Sequence, residues 1–141
     1  MDILELISTF ATEPSRPLYP ETVRILNGQT TRFWFPMLVP EWANSSFPMF
    51  TYQVISELHV QTLQGIGTSS TVRLQIQAFT KTLAQHQAIK SKIVQQFKNL
   101  KGIQGGDIII QSCVSGGILN GKELDTGFYV STHDYFVSYH I

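Results

Sequence analysis

One helical stripe preceded directly by a strict alternation decides what this chain can fold into. Between Thr82 and Leu100, the residues Ile89, Ile93, Phe97 and Leu100 recur at helical spacing, with Ala88 and Val94 beside them. That periodicity predicts a core-facing helix over 83–100. Thr82 with Gln85 three positions on makes a capping box, which satisfies the first free backbone N–H groups. Lys98 and Lys101 sit where cations favour the helix dipole, and Gly102 suits the position just past the end. Lys90, Lys92 and Lys98 read as a solvated face, since no stacking platform or dense cluster accompanies them. Just upstream, at 71–79, Val72, Leu74, Ile76 and Ala78 alternate with Arg73, Gln75 and Gln77, the mark of a half-buried strand. A helix with one apolar stripe and a strand with one apolar face each need a partner layer.

The rest of the chain supplies those layers. Met49 to Val60 reads as a strand with Phe50, Tyr52, Val54, Leu58 and Val60 on one side and Thr51, Gln53, Glu57 and His59 largely on the other. Pro48 biases Phe47 towards extended backbone and so launches this strand. The stretch "QGIGTSS" at 64–70 reads as a turn or flexible loop that closes a hairpin. After the helix, 107–114 predicts a strand, 115–127 a loop rich in turn signals, and 128–141 a long strand. That last strand places Tyr135, Val137, Tyr139 and Ile141 on one face and Asp134, Ser138 and His140 on the other. At the N-terminus, Asp2 and Glu5 cap a short helix whose stripe is Ile3, Leu6, Ile7 and Phe10, and Pro14 and Pro17 stop it. Between 13 and 48 the pattern is irregular. "VRIL" at 23–26 is a short strand candidate closed by Asn27-Gly28, and Pro36 and Pro40 confine 32–39 to an edge or a loop. The expected architecture is α+β, a mainly antiparallel β-sheet with two helices packed on one face. It forms a single domain over 1–141: an N-terminal helix (1–12), an irregular proline-rich segment (13–48) and a ββαββ core (49–141).

Function classes narrow by exclusion. Charged residues are 14% of the chain, against roughly 25% in average proteins, and Lys+Arg and Asp+Glu number 10 each. That balance leaves no basic nucleic-acid footprint. Cys113, the single cysteine, is expected to be buried and inert. The glycines of "GGDIII" and "QGIGTSS" match neither a phosphate loop nor a dinucleotide fingerprint. His133 and His140 fall on opposite faces of one strand, and Asp134 alternates away from His133, so no metal set and no cofactor are expected. Glu41, Glu57, Glu123 and Asp125 read as solvated. "MDILELISTFATEPSR" carries no basic leader and no run approaches a membrane span; the chain reads as soluble, made in a reducing cytoplasm, and not an enzyme. Trp34 and Trp42 leave two readings open: cover for the core edge, or anchors of a protein interface, where Trp is enriched.

An ordered string of motifs from Pro36 onward resembles the tail-completion, or tail-terminator, proteins of long-tailed bacteriophages. "PMLVP" and "FPMFTYQVISE" are similar to that family's proline-flanked strand start. "GTSSTVRLQIQAFTKTLAQHQAIKSKIVQQF" resembles its glycine turn, Gln-bearing strand and Thr-led helix, and "TGFYVSTHDYFVSYHI" its aromatic terminal strand. Gln77 stands where an Asp is frequent in the family, and 13–35 is longer than usual. The resemblance implies a structural virion protein in the tail neck, assembled in the bacterial host cytoplasm. It implies a homo-oligomeric ring, typically a hexamer, that caps the head-proximal end of the tail tube, stops polymerisation and offers a surface to the head connector or stopper. The tube protein, the connector and further copies of the chain would be its partners. DNA would pass only as cargo, and no membrane is involved. By expected exposure the contact residues are Trp34 and Trp42, the loop Gly65, Ile66, Gly67, Thr68, Ser69 and Ser70, and Gly116, Gly117, Ile118, Leu119, Asn120, Lys122 and Glu123. Two rival readings remain: another neck component, either a head–tail connector or a minor tail protein, and a small-molecule-binding or hydrolytic protein with Tyr52, His133 and Asp134 lining a pocket.

Overall fold

A computed structural model describes residues 2–43, 46–62, 65–123 and 126–140, with backbone only at 59–62 and 65–68. Asp125 and Ile141 lie outside the described residues. Helix α1 (Ile3–Ala11) starts at the expected N-cap, Asp2, whose Oδ1 accepts from Glu5 N at 2.8 Å. A helical turn α2 (Tyr19–Thr22) leads into the hairpin β1 (Val23–Leu26) and β2 (Gln29–Arg32), whose turn places Asn27 and Gly28 at positive φ. Then come β3 (Trp34–Pro36), a 3₁₀ turn (Glu41–Ala43), β4 (Met49–Thr62), β5 (Gly65–Thr80) and α3 (Leu83–Phe97). The chain closes with β6 (Gln104–Gly105), β7 (Ile108–Lys122) and β8 (Tyr129–His140). Thr82 caps α3 through its hydroxyl, which accepts from Gln85 N at 3.1 Å.

The main sheet has six strands in the order β3-β4-β5-β8-β7-β6, antiparallel except for β3 on β4. Both longer helices pack on one face. Ile3, Leu6, Ile7 and Phe10 of α1 and Ile89, Ile93 and Phe97 of α3 join Val72, Leu74, Ile76 and Ala78 of β5 and Tyr135, Val137 and Tyr139 of β8 in one core. Phe97 is its centre, stacked on Tyr135 at 5.2 Å and Trp34 at 6.5 Å and edge-on to Phe10 at 5.7 Å. Such ring pairs add about 1 kcal/mol each beyond the area they bury. Gln96, fully buried, ties three elements together: its Oε1 accepts from Leu18 N and its Nε2 donates to Phe10 O, both at 2.8 Å. A second, smaller cluster of Phe33, Phe35 and Ala43 gathers beside β3. There the Arg24 guanidinium lies 3.9 Å over the Phe33 ring and donates to the carbonyls of Ser46, Phe47 and Pro48.

Three expectations need correcting. Gly65–Ser70 is not a loop but the first part of β5, paired to β4. Residues 115–122 are likewise not loop but the second half of β7, paired to β8 as far as Lys122↔Tyr129. In both places the pairing partner supplies the backbone bonds, so low strand propensity is overridden. The phase of β4 also slips. A register shift between Val54 and Ser56 inserts an extra residue, as a β-bulge does. Beyond it Leu58 lies opposite Thr71 and is exposed, while Glu57 lies opposite the core residue Val72. The extra strands β2 and β6 and the turn α2 were not legible, being four residues or fewer.

Candidate functional site

Strand alternation puts one set of side chains under the helices and the other on the opposite face of the central strands. The polar members of that second set are almost wholly uncharged and bond one another, around an exposed Phe136. Thr51 donates to Gln77 Oε1 at 3.5 Å, and Gln77 Nε2 reaches Thr132 at 3.4 Å. Gln53 Nε2 donates to Gln75 Oε1 at 3.0 Å, and Gln75 Nε2 in turn to Asp134 at 3.5 Å. Thr71 and Ser138 share a bond of 2.9 Å. The charges of this ladder, Arg73 and Asp134, neutralise each other at 2.9 Å. Partly exposed pairs of this kind contribute only about 0–1 kcal/mol; their effect is to leave the face polar without a net field.

The expected contact residues divide between the two ends of the sheet. Hairpin β4–β5 turns at one end. Its Gly65, Ile66, Gly67 and Thr68 run past the last β8 pairing, Ser69↔His140. Ser69 Oγ donates to Gln111 at 3.2 Å, and Ser70 lies half-buried opposite Tyr139. Hairpin β7–β8 turns at the other end. Gly116 and Gly117 form a bulge there: Gly117 has φ +118°, and a Cβ on Gly116 would fall 2.8 Å from the Phe136 ring. Ile118 is half-buried and Leu119 is 74% exposed. Asn120 Oδ1 bonds His86 Nε2 at 3.1 Å, and the Lys122 ammonium sits 5.3 Å from the Tyr129 ring centroid. Glu123 accepts from Thr126 at 2.7 Å. The two tryptophans part company. Trp34 is 5% exposed, stacked on Tyr52 at 5.0 Å, with its Nε1 donating to Ser8, so it is core and not an anchor. Trp42 is 57% exposed and covers Phe33 and Phe35 from outside.

The pocket reading does not assemble. Tyr52 and His133 face the helices from strands separated by β5, and Asp134 points to the opposite face. His133 is fully buried, bonded through Nε2 to Ser131 at 3.0 Å. Burial, then the electrostatic effect of nearby Lys90 and His86, lowers its pKa to about 4, so it stays neutral near pH 7. Cys113 is half-buried, and burial pushes its thiol up to about 12, far from a nucleophile's range. Among the described residues no group of three His, Cys, Asp or Glu side chains is placed to hold a metal ion. One hollow, about 760 Å³, is an open groove between α1 and β3 edged by Asp2, Glu5 and Arg32. Sequence reasoning missed Arg24 and Gln96, the polar residues that fix the irregular segment, because their backbone partners lie 22 to 24 and 78 to 86 positions away.

No protein-family model matches the chain, and no curated protein matches it in sequence. A solved structure does match in fold: a chain from "Virion of native gene transfer agent (GTA) particle" superposes with a TM-score of 0.62. The identity is 6%, over 76% of this chain and 78% of that one. At that identity the likeness establishes a shared fold.

Proposed function

We propose that this protein is a structural component of a phage-like virion, and that it caps the head-proximal end of the tail tube as a closed ring of copies. The observation that carries this reading is the fold shared with a chain of a gene transfer agent particle, joined to the motif order from Pro36 to the C-terminus. The layout of the fold supports it. A capping ring needs one surface for the tube and another for the head connector, and the two long hairpins turn at opposite ends of the sheet. DNA must pass without being held, and a self-bonded Gln/Thr/Ser face with one neutralised ion pair suits such a lumen.

Deleting the gene and imaging the particles tests this. The reading predicts tails of uncontrolled length that fail to join heads. Tails of normal length joined to filled heads would sink it. The same fold observation is compatible with a neighbouring neck component, and labelling the protein in the intact particle separates the two: label between tube and connector supports the cap.

A further inference from the structure

The main sheet ends in two long strands, β4 and β7, each covered over only part of its outer edge among the described residues. Strand β3 bonds β4 only over Phe50–Tyr52, with Met37 N reaching Tyr52 O, so Gln53–Leu58 present free backbone groups. At the other side β6 covers only Ile108 and Ile109, and Gly102 and Ile103 bond Ile110, so Ser112–Gly117 of β7 carry no further strand beyond β8, with the Gly117 N–H held by Ser115 Oγ at 3.2 Å. Following the pairings across β5 and β8 places these windows at one height: Gln53 is level with Gly117, and Leu58 with Ser112. Each window is six residues long because each carries one extra, bulged residue. β4 and β7 run in opposite directions, so two copies set side by side in the same orientation meet antiparallel. Edges of this kind are usually blocked by charge or proline, yet β7 has neither from Ile108 to Gly121.

We infer that copies of this chain join head to tail through these edges, the β4 window of one copy against the β7 window of the next. The occupant is a second copy because the two edges complement each other in charge and apolar surface. Glu57, exposed and in no ion pair of its own chain among the described residues, is level with Cys113. Lys98, equally exposed and unpaired, lines the recess beside Cys113. The pairing therefore brings acid to base. Near the foot of the window Leu119 stands level with Thr51, where Met37 and Leu38 lie exposed on the other edge, Leu38 by 79%. Bulged strands bend, which lets the edges splay around β3 below and β6 above. The contact is heterologous, the kind that closes a ring by rotation. It rests on the ring reading above and names its subunit contact.

Disulfide trapping of the full chain tests it, with Cys113→Ser as background. Leu58→Cys with Ser112→Cys on one chain, oxidised at high protein concentration, should give a ladder of covalent dimers, trimers and larger species. Either substitution alone should give none, and a mixture of the two single variants should give dimers only. Glu57→Lys or Lys98→Glu should weaken the ladder at least tenfold, and both together should restore it. No ladder, or dimers from one single variant alone, overturns the inference. A ladder from a chain that labels elsewhere in the particle would leave the contact standing and remove the capping role.

Discussion

Replacing Gln96 by Met probes the joint that holds the irregular N-terminal third to the core. Met is similar in length and volume, so packing around the fully buried side chain is nearly kept. Both hydrogen bonds go, leaving Leu18 N unpaired in an interior where Leu18 is fully buried, while Phe10 O keeps the N–H of Glu13 at 3.4 Å. An unsatisfied buried backbone group costs about 1–3 kcal/mol, so the loss at Leu18 N should cost about 2 kcal/mol. Urea unfolding followed by far-UV circular dichroism reads this directly. With a slope of about 2 kcal/mol per molar, the midpoint should fall by about 1 M with the slope unchanged. A fall below about 0.3 M would refute the claim that this amide is the tie. Gln96→Glu should be worse, because a carboxylate meets Phe10 O with no proton to donate and buries a charge.

His133 predicts an acid limb of stability. Its folded pKa of about 4 lies below the ordinary 6.5, so the unfolded chain binds the extra proton first. The contribution is intact above pH 6.5, falls as pH drops towards 4, and totals about 3 kcal/mol; His133→Gln should flatten that limb in pH-dependent unfolding. Arg24→Lys should lower the melting temperature by about 6 °C, near 2 kcal/mol, because an ammonium cannot fork to the carbonyls of Ser46, Phe47 and Pro48 while covering Phe33. Gly117→Ala, at φ +118°, should cost about 1–2 kcal/mol by the same measurement.

The legible parts of the fold were those whose signal is local. The N-caps at Asp2 and Thr82 and the alternation of Val72, Leu74, Ile76 and Ala78 depend on residues a few positions apart, and all three are found as expected, although Gln85 Oε1 reaches back to Lys81 N and not to Thr82 N. The illegible parts were set by distant partners. Ser115–Lys122 looks like turn sequence and is strand because β8 pairs with it. Leu58 changes face because of one extra residue at the bulge, which no period-2 pattern records. Trp34 left two readings open, and its Nε1 bond to Ser8, 26 positions away, and its stacking on Tyr52 decide for the core. At the candidate site the polar face could be anticipated from Arg73, Gln75 and Gln77, whereas its closure into a self-bonded ladder needed Thr132, Asp134 and Ser138 brought across from β8.

The central claim is a place in a particle, and a reconstruction of the tail neck tests it most directly. The account predicts a ring of this fold between the last layer of the tail tube and the head connector, with its long hairpins directed up and down and its Gln/Thr/Ser face towards the channel. A neck with no such ring, or this chain found elsewhere in the particle, would contradict it.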